Sequence, residues 1–242
     1  MTVGIFFYLY SNLSYAVMKS LETLFLDLKD IKVIDNSIPY SLYTPLDLSP
    51  SNTDLDQLNV SDANELQEYI NQILINNNAK AAYGGYNEVR NLYKRSTVFN
   101  DLKTEERNIH IGMDLWIEAG TSILAALDGK VHSFQNNNNL GDYGPTIILE
   151  HQLENYVFYT LYGHLALESI QSIKTGDFFA KGQQLALLGS SEVNGNYAPH
   201  LHFQIIKNIE NNFGDYPGVS SKSKLTYYLE NCPDPNLLLK IF

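Results

Sequence analysis

Cysteine is almost absent from this chain of 242 residues, which contains only Cys232. One cysteine cannot form an intramolecular disulfide, and a zinc site built from several thiolates is excluded as well. Basic residues are also scarce, since 16 Lys and Arg stand against 27 Asp and Glu, for a formal net charge of -11. Because binding to a phosphate backbone relies on positive charge, we do not expect a nucleic-acid partner.

A long apolar run at the N-terminus is missing too. The first run, Val3 to Tyr10, is too short to cross a bilayer as a helix, so no membrane span is expected. No Lys or Arg precedes this run and no clear small-x-small cleavage site follows it, which favours a core strand or helix over a signal peptide. We therefore expect a cytoplasmic protein, with export as the alternative.

Residues 1–82 predict a partly helical N-terminal extension. Asp62 and Glu65 form a capping-box pair, and apolar side chains then follow at helical spacing up to the asparagines at 76–78. The run Val17 to Leu28 could form an earlier helix. Between these helices the prolines of residues 37–52 predict irregular chain.

Residues 83–242 predict a second, mostly β domain. It begins with a tyrosine-rich bridge at residues 83–100, after which short apolar runs alternate with Gly, Asn and Asp. Short strands with turn residues between them are typical of an antiparallel β sandwich or barrel.

The first chemically informative pattern lies in the run Ile109 to Ile117, where apolar and other residues alternate. Alternate side chains share one face of a strand, so His110 and Asp114 should point the same way, with only Gly112 between them. The glycine leaves room for an ion or a substrate, and an imidazole beside a carboxylate can supply two zinc ligands.

Two further patterns also involve histidines. His200, His202 and Gln204 share one face if residues 199–206 form a strand, and two imidazoles at this spacing can converge on one metal. His164 follows Tyr162-Gly163 at the end of an apolar strand, where it can reach a neighbouring site.

Each pattern alone is weak, because a lone His-x₃-Asp or strand-end histidine is more often structural. Together they supply a carboxylate and four imidazoles within one β-rich region, and catalytic zinc needs about three protein ligands and one open position. His132 and His151 stand in plainer settings and are expected to be structural. The sequence has no His-Glu-x-x-His helix, Gly-x-Ser-x-Gly elbow or phosphate-cradling glycine loop.

In order and spacing, the motifs at residues 110–114, 162–165 and 199–203 resemble those of the lysostaphin/LytM-type zinc endopeptidases. The resemblance covers about residues 105–207 and implies a LytM-like β core, a Zn²⁺ cofactor and hydrolysis of a peptide amide bond, with a Gly-containing peptide as one option. It implies a division of roles: His110, Asp114 and His202 as zinc ligands, with His164 and His200 beside the open position. One of these two histidines would help to activate water and the other would steady the oxyanion.

A narrower resemblance reaches beyond this segment. Residues 84–96, 214–219 and 232–239 are similar to metallopeptidase-like modules that are fused to class III aminotransferase and kinase-like domains. Many members of the wider family place a tyrosine shortly before the first zinc histidine. Here residues 101–108 hold none, so the role is either vacant or filled elsewhere, with Tyr93 and Tyr143 as candidates.

Three rival functions remain open from the sequence. The first is a family member that binds metal or a partner without turnover, and the five retained motif residues argue against it. The second is a zinc hydrolase of a small metabolite amide, which the aminotransferase-linked branch suggests. The third is a cell-wall-binding or hydrolase-activating module, which would favour a clear export signal and lost ligands.

Overall fold

The computed structural model of the chain describes residues 19–92 and 105–242. The helices in these ranges are α1 (Leu21–Asp27), α2 (Ala63–Asn76), α3 (Leu225–Asn231) and α4 (Asn236–Leu239). The strands are β1 (Tyr43–Pro45), β2 (Ala81–Gly84), β3 (Glu88–Val89), β4 (Arg107–His110), β5 (Met113–Trp116), β6 (Ser122–Leu124), β7 (Gly129–Asn137), β8 (Gly144–Leu153), β9 (Tyr156–Gly163), β10 (Phe178–Phe179), β11 (Gln184–Leu187), β12 (His200–Ile206) and β13 (Val219–Ser221).

The fold is mostly β, as the sequence predicts, and it is built on one large sheet. Within the described ranges this sheet has eight strands in the order β1-β2-β5-β12-β9-β8-β7-β10. Only β1 and β2 pair in parallel, and every other neighbouring pair is antiparallel. Two small sheets, β11-β6 and β13-β4-β3, accompany it.

The two faces of the central strand β12 bury different kinds of side chain. Leu201, Phe203 and Ile205 point into the main hydrophobic core, which also takes residues from the β11-β6 sheet. His202 and Gln204 face the opposite side and are equally buried. This separation is the one that period-two alternation predicts for the strand.

The helix predicted after Asp62 is confirmed as α2. The Asp62 carboxylate caps it by accepting hydrogen bonds from the backbone N–H groups of Asn64 and Glu65. Glu65 does not complete a capping box with Asp62, because its carboxylate accepts from the backbone N–H of Asn59 instead. Buried Leu66 and Ile70 pack this helix against the sheet.

The N-terminal region contributes strands as well as helices. Strand β1 lies in the stretch predicted to be irregular, so that expectation was wrong there; β2 begins before the predicted bridge and ends in it, and β3 lies within it. β1 and β2 extend the large sheet beyond β5. The division of the chain at residue 82 stays a prediction.

Some predictions fall outside the described residues. They are the core segment Val3 to Tyr10, the first two residues of the helix predicted over 17–28, and the bridge from residue 93 onward. Within the part of the chain that the structure describes, that helix is α1, and Ser20 caps its N-terminus.

A single strand from Ile109 to Ile117 was predicted wrongly. The chain bends at Ile111 and Gly112, and β4 and β5 on either side of the bend belong to different sheets. β4 pairs with β3 and β13, while β5 pairs with β2 and β12. Protein covers both sides of this segment, so residues 109–117 are all buried and burial does not alternate along it.

The two histidines expected to be structural lie apart from the motif histidines. His132 contacts Ser133 and the Tyr159 ring. His151 is buried in β8, where Nδ1 is 2.8 Å from the Asp128 carbonyl oxygen and Nε2 is 2.7 Å from Thr160 Oγ1. Burial lowers the pKa of His151 to about 4, although Asp128 opposes the shift.

The buried His151 predicts a pH-dependent contribution to stability. An unfolded histidine takes up a proton below about pH 6.5, whereas native His151 stays neutral down to about pH 4, so its contribution to stability is present above pH 6.5 and is lost as pH falls. His151→Gln should therefore destabilise the protein less at low pH than at neutral pH. The difference in the free energy of unfolding between the wild type and His151→Gln should narrow by about 2 kcal/mol between about pH 7.5 and about pH 5. Urea denaturation of both proteins at each pH measures this, and a constant gap would contradict it.

No helix in the described ranges is both long and apolar enough to span a membrane.

Candidate metal centre

Three side chains from three strands converge on one buried point. Asp114 in β5 stands directly opposite His202 in the antiparallel pair of β5 and β12, and the bend at Gly112 brings His110 from β4 beside them. His110 Nε2 lies 2.9 Å from His202 Nδ1 and 3.3 Å from Asp114 Oδ1, and the last two atoms are 3.2 Å apart. All three residues are buried.

The outer atom of each of these groups is held by a partner. Nδ1 of His110 lies 2.9 Å from the Gly85 carbonyl oxygen, and Nε2 of His202 lies 2.9 Å from Gln204 Oε1. Because each partner is an oxygen acceptor, these ring nitrogens carry the protons. Asp114 accepts a hydrogen bond from Arg90 through Oδ2, at 2.5 Å.

These contacts leave three lone pairs facing one another: Nε2 of His110, Nδ1 of His202 and Oδ1 of Asp114. Groups that can only accept repel at about 3 Å unless a cation or a proton lies between them. Tetrahedral ligands at about 2.0–2.1 Å from a metal are themselves about 3.3 Å apart, which is close to the spacing here. The donor set therefore fits a small metal ion that prefers imidazole and carboxylate, such as Zn²⁺.

His164 and His200 lie next to these three residues. Their ring centroids are 4.2 Å apart, and His200 Nε2 is 3.8 Å from Asp114 Oδ1. His164 Nδ1 donates to the Asn194 carbonyl at 2.8 Å, and His200 Nδ1 donates to the Ala198 carbonyl at 2.7 Å. Both rings therefore keep Nε2 free of a proton, as a general base requires.

The backbone of His164 has an uncommon conformation. Its φ of 63° lies in the left-handed region, which costs a side-chain-bearing residue of the L series about 1–2 kcal/mol. The cost is offset where the surrounding structure fixes the residue, and His164 N–H donates to the Tyr143 carbonyl at 2.8 Å. Backbone strain of this kind is frequent at functional sites.

Burial controls the charge of the centre. It lowers the pKa of His110 to about 4, against the effect of Asp114, and it also lowers the pKa values of His164 and His200. Burial alone would raise the pKa of Asp114, but His110 and Arg90 together hold it well below its usual range. Since His110 is neutral at pH 7, Arg90 is the cation that keeps Asp114 ionised there.

The centre opens into a pocket of about 820 Å³, including its mouth. The aromatic side chains of Trp116, Tyr143 and Tyr197 line it beside the histidines, and Leu48 and Leu66 contribute from the N-terminal region. A pocket with apolar walls and a few convergent polar groups is typical of a substrate site.

Comparison of this chain with known proteins gave a family match from its sequence and only low TM-scores from its structure. The sequence profile of the family described as peptidase family M23 matches residues 108–212, which is less than half of the chain. This segment is an M23 peptidase domain. M23 peptidases are metalloenzymes, so the chain carries a metallohydrolase domain.

Several solved structures are similar to about half of this chain. The catalytic domain of the antimicrobial peptidase lysostaphin from Staphylococcus simulans is 25% identical, with 50% of this chain and 80% of that chain covered, and a TM-score of 0.36. LytU is also 25% identical, with coverages of 51% and 74% and a TM-score of 0.34. Csd3 from Helicobacter pylori is 24% identical, with coverages of 55% and 34% and a TM-score of 0.31. Because these TM-scores are low, the family assignment rests on the sequence profile; no curated protein matches the chain.

The structure brings together all five residues that the sequence singled out for the site of the M23 domain. It also places Tyr143 in the pocket, with its hydroxyl 3.3 Å from His202 Nε2, whereas Tyr93 lies outside the described residues. The ligand set and the roles of the two remaining histidines stay predictions.

Sequence reasoning missed the groups that orient the ligands of the M23 domain. Gln204 was placed on the correct face but given no role, and Gly85 and Arg90 were read only as part of a bridge. The signal in the sequence that could have pointed to Arg90 is a charged residue near two glycines. Its contact with Asp114 joins residues that are 24 positions apart, so no local pattern predicts it.

Gly112 has a different use in the M23 domain from the one expected. The space beside it is taken by His202, because a Cβ at position 112 would lie 2.4 Å from His202 Cε1 and 2.6 Å from Nε2. An added methyl group must push this ring away from Asp114.

We expect Gly112→Ala to lower metal affinity by about 10–100-fold, the usual cost of disturbing the support of a ligand. Competition with a chromophoric chelator measures the affinity. Gly120→Ala is a control for the added methyl group, since a Cβ at position 120 meets no atom within 4 Å; its φ of 83° makes the substitution destabilising, but metal affinity should be unchanged. Equal affinities for the two variants would contradict the role given to Gly112.

Proposed function

We propose that the M23 domain is a zinc endopeptidase that hydrolyses a peptide amide bond, with a Gly-containing peptide as one option for the substrate. The observation that carries the proposal is the donor triangle of His110, Asp114 and His202, with two proton-accepting imidazoles next to it. The family match supports the peptidase activity, and the His₂-carboxylate donor set supports zinc.

When bound, zinc would act as a Lewis acid and lower the pKa of a coordinated water to about 7. The histidines of the chain supply the proton transfers. Nδ1 of His164 and of His200 is bound to a backbone carbonyl, so Nε2 of either neutral ring can accept a proton from the attacking water; Nε2 of His200 lies 3.8 Å from Asp114 Oδ1. Once protonated, an imidazole becomes a donor and can stabilise the negative charge that develops on the carbonyl oxygen.

The pocket places these groups out of bulk water. All five residues are buried, and the rings of Trp116 and His200 stack with their centroids 5.8 Å apart. The low polarity of such walls strengthens each electrostatic interaction within the site. Tyr143 lies where a phenol hydroxyl can help to orient a substrate carbonyl, which fits the role of the missing family tyrosine.

The test combines metal analysis with substrate assays. Protein expressed with ample zinc should contain about one zinc per chain, and it should cleave glycine-rich peptides or cell-wall fragments. Zinc content near zero would overturn the zinc assignment. A fully loaded protein that is inert on every peptide but hydrolyses small amides would replace the peptidase proposal with the metabolite hydrolase.

A further inference from the structure

Arg90 contacts the candidate centre from outside the matched segment. It follows β3 directly, and its side chain is 2% exposed. Its Nη1 lies 2.5 Å from Asp114 Oδ2, and its Nε lies 2.5 Å from Glu88 Oε2. The guanidinium thus bridges two carboxylates, one of which faces the donor triangle.

The position of this guanidinium is fixed on several sides. Its carbon lies 5.4 Å from the centroid of the Trp116 ring. The backbone N–H of Arg90 donates to the Asn108 carbonyl at 2.8 Å, which ties the residue to β4. Gly85 packs so closely that a Cβ there would lie 1.9 Å from Nη2. Arg90 therefore cannot turn away from Asp114 without repacking its surroundings.

The contact with Arg90 gives the two oxygens of Asp114 different partners. Oδ2 is bound by Arg90, and Oδ1 faces His110 and His202. A carboxylate with both oxygens available can bind a metal through one or through two of them. Binding through two would occupy the position that a hydrolase must keep for water.

We propose that Arg90 is a positioning residue that holds Asp114 as a one-oxygen ligand and thereby keeps the metal four-coordinate with one position open. The inference rests on the proposed zinc function. Glu88 has a supporting part, since its negative charge offsets that of the guanidinium and reduces repulsion between Arg90 and a bound cation.

The coordination number of Co²⁺ in the full chain tests this proposal without using activity. Cobalt in a four-coordinate site absorbs visible light much more strongly than cobalt with five or six ligands, so the spectrum reports the geometry. We expect a strong spectrum for the wild type and a several-fold weaker one for Arg90→Gln, in which Oδ2 is released. The preference for Zn²⁺ over Mn²⁺, measured by chelator competition, should also fall by about tenfold or more.

Companion variants separate this role from a general loss of stability. Arg90→Lys keeps a charge near Asp114 but cannot bridge both carboxylates, so its spectrum should lie between the other two. Glu88→Gln removes one anchor of Arg90 and should weaken the spectrum less than Arg90→Gln does. If Arg90→Gln fails to fold, Glu88→Gln still tests the proposal. Lys207→Met, which breaks an ion pair with Glu22 at the surface, is the control and should match the wild type.

The outcomes distinguish two kinds of failure. A wild type that takes up no cobalt or zinc would overturn the proposed function itself. Strong cobalt binding with identical spectra for wild type, Arg90→Gln and Arg90→Lys would overturn the role of Arg90 while leaving the metal site intact.

Discussion

Asp114→Asn and His202→Ala should each abolish metal binding, and peptide hydrolysis should disappear with it. One substitution removes the negative charge of a donor and the other removes an imidazole, from a set of three donors that lie within 3.3 Å of one another. The loss in affinity should exceed the roughly 10–100-fold that follows removal of a supporting partner. Metal content after dialysis and hydrolysis rate, measured on the same samples, check the result.

The choice of asparagine at position 114 limits damage to the fold. Asp114→Ala would leave the buried Arg90 without this carboxylate, and breaking a buried ion pair typically costs about 3–5 kcal/mol. Asparagine keeps the shape and one acceptor oxygen, so the thermal midpoint should fall less. If either ligand variant retained metal at the wild-type level, the ligand set would have to be reassigned.

His164→Ala and His200→Ala should give the opposite combination, with metal retained and turnover lost. Neither ring is part of the donor triangle, and each has its Nδ1 bound to a backbone carbonyl. Loss of a general acid–base or oxyanion group typically costs about 10²–10⁴ in rate. The decrease should appear in kcat rather than in KM, because these groups act in the transition state.

The variants at His200 and His202 form a matched comparison, because both residues lie in β12. His200 and His202 are two residues apart in β12, yet alanine should remove the rate in one case and both metal and rate in the other. A His164→Ala or His200→Ala protein that lost its metal while His110→Ala kept it would show that the roles are divided differently.

Much of this centre could be predicted because its key patterns are local. Alternation in β12 places His202 and Gln204 on one face, and the strand pairs with β5 and β9 without a shift of register. Asp62 predicts the start of α2 for a similar reason, because a cap involves residues within one turn.

The features that were not predicted depend on contacts distant in sequence. The bend at Gly112 arises because β4 pairs with β3 and β13 while β5 pairs with β2 and β12, and none of these partners can be identified from residues 109–117 alone. The contact between Arg90 and Asp114 likewise requires β2 and β3 to be in place. Period-two alternation identifies which residues share a face, but it does not show where one strand ends and another begins.

The register of β5 against β12 has a consequence for how the protein matures. Asp114 is paired with His202, and a shift of one residue would bring Leu201 or Phe203 opposite Asp114 and turn the imidazoles toward the apolar core. A misaligned β5–β12 pair therefore lacks the proposed metal site, while the aligned pair gains stability from the ion that rises with the logarithm of the free metal concentration. Metal present during refolding should thus increase the yield of correctly aligned chains.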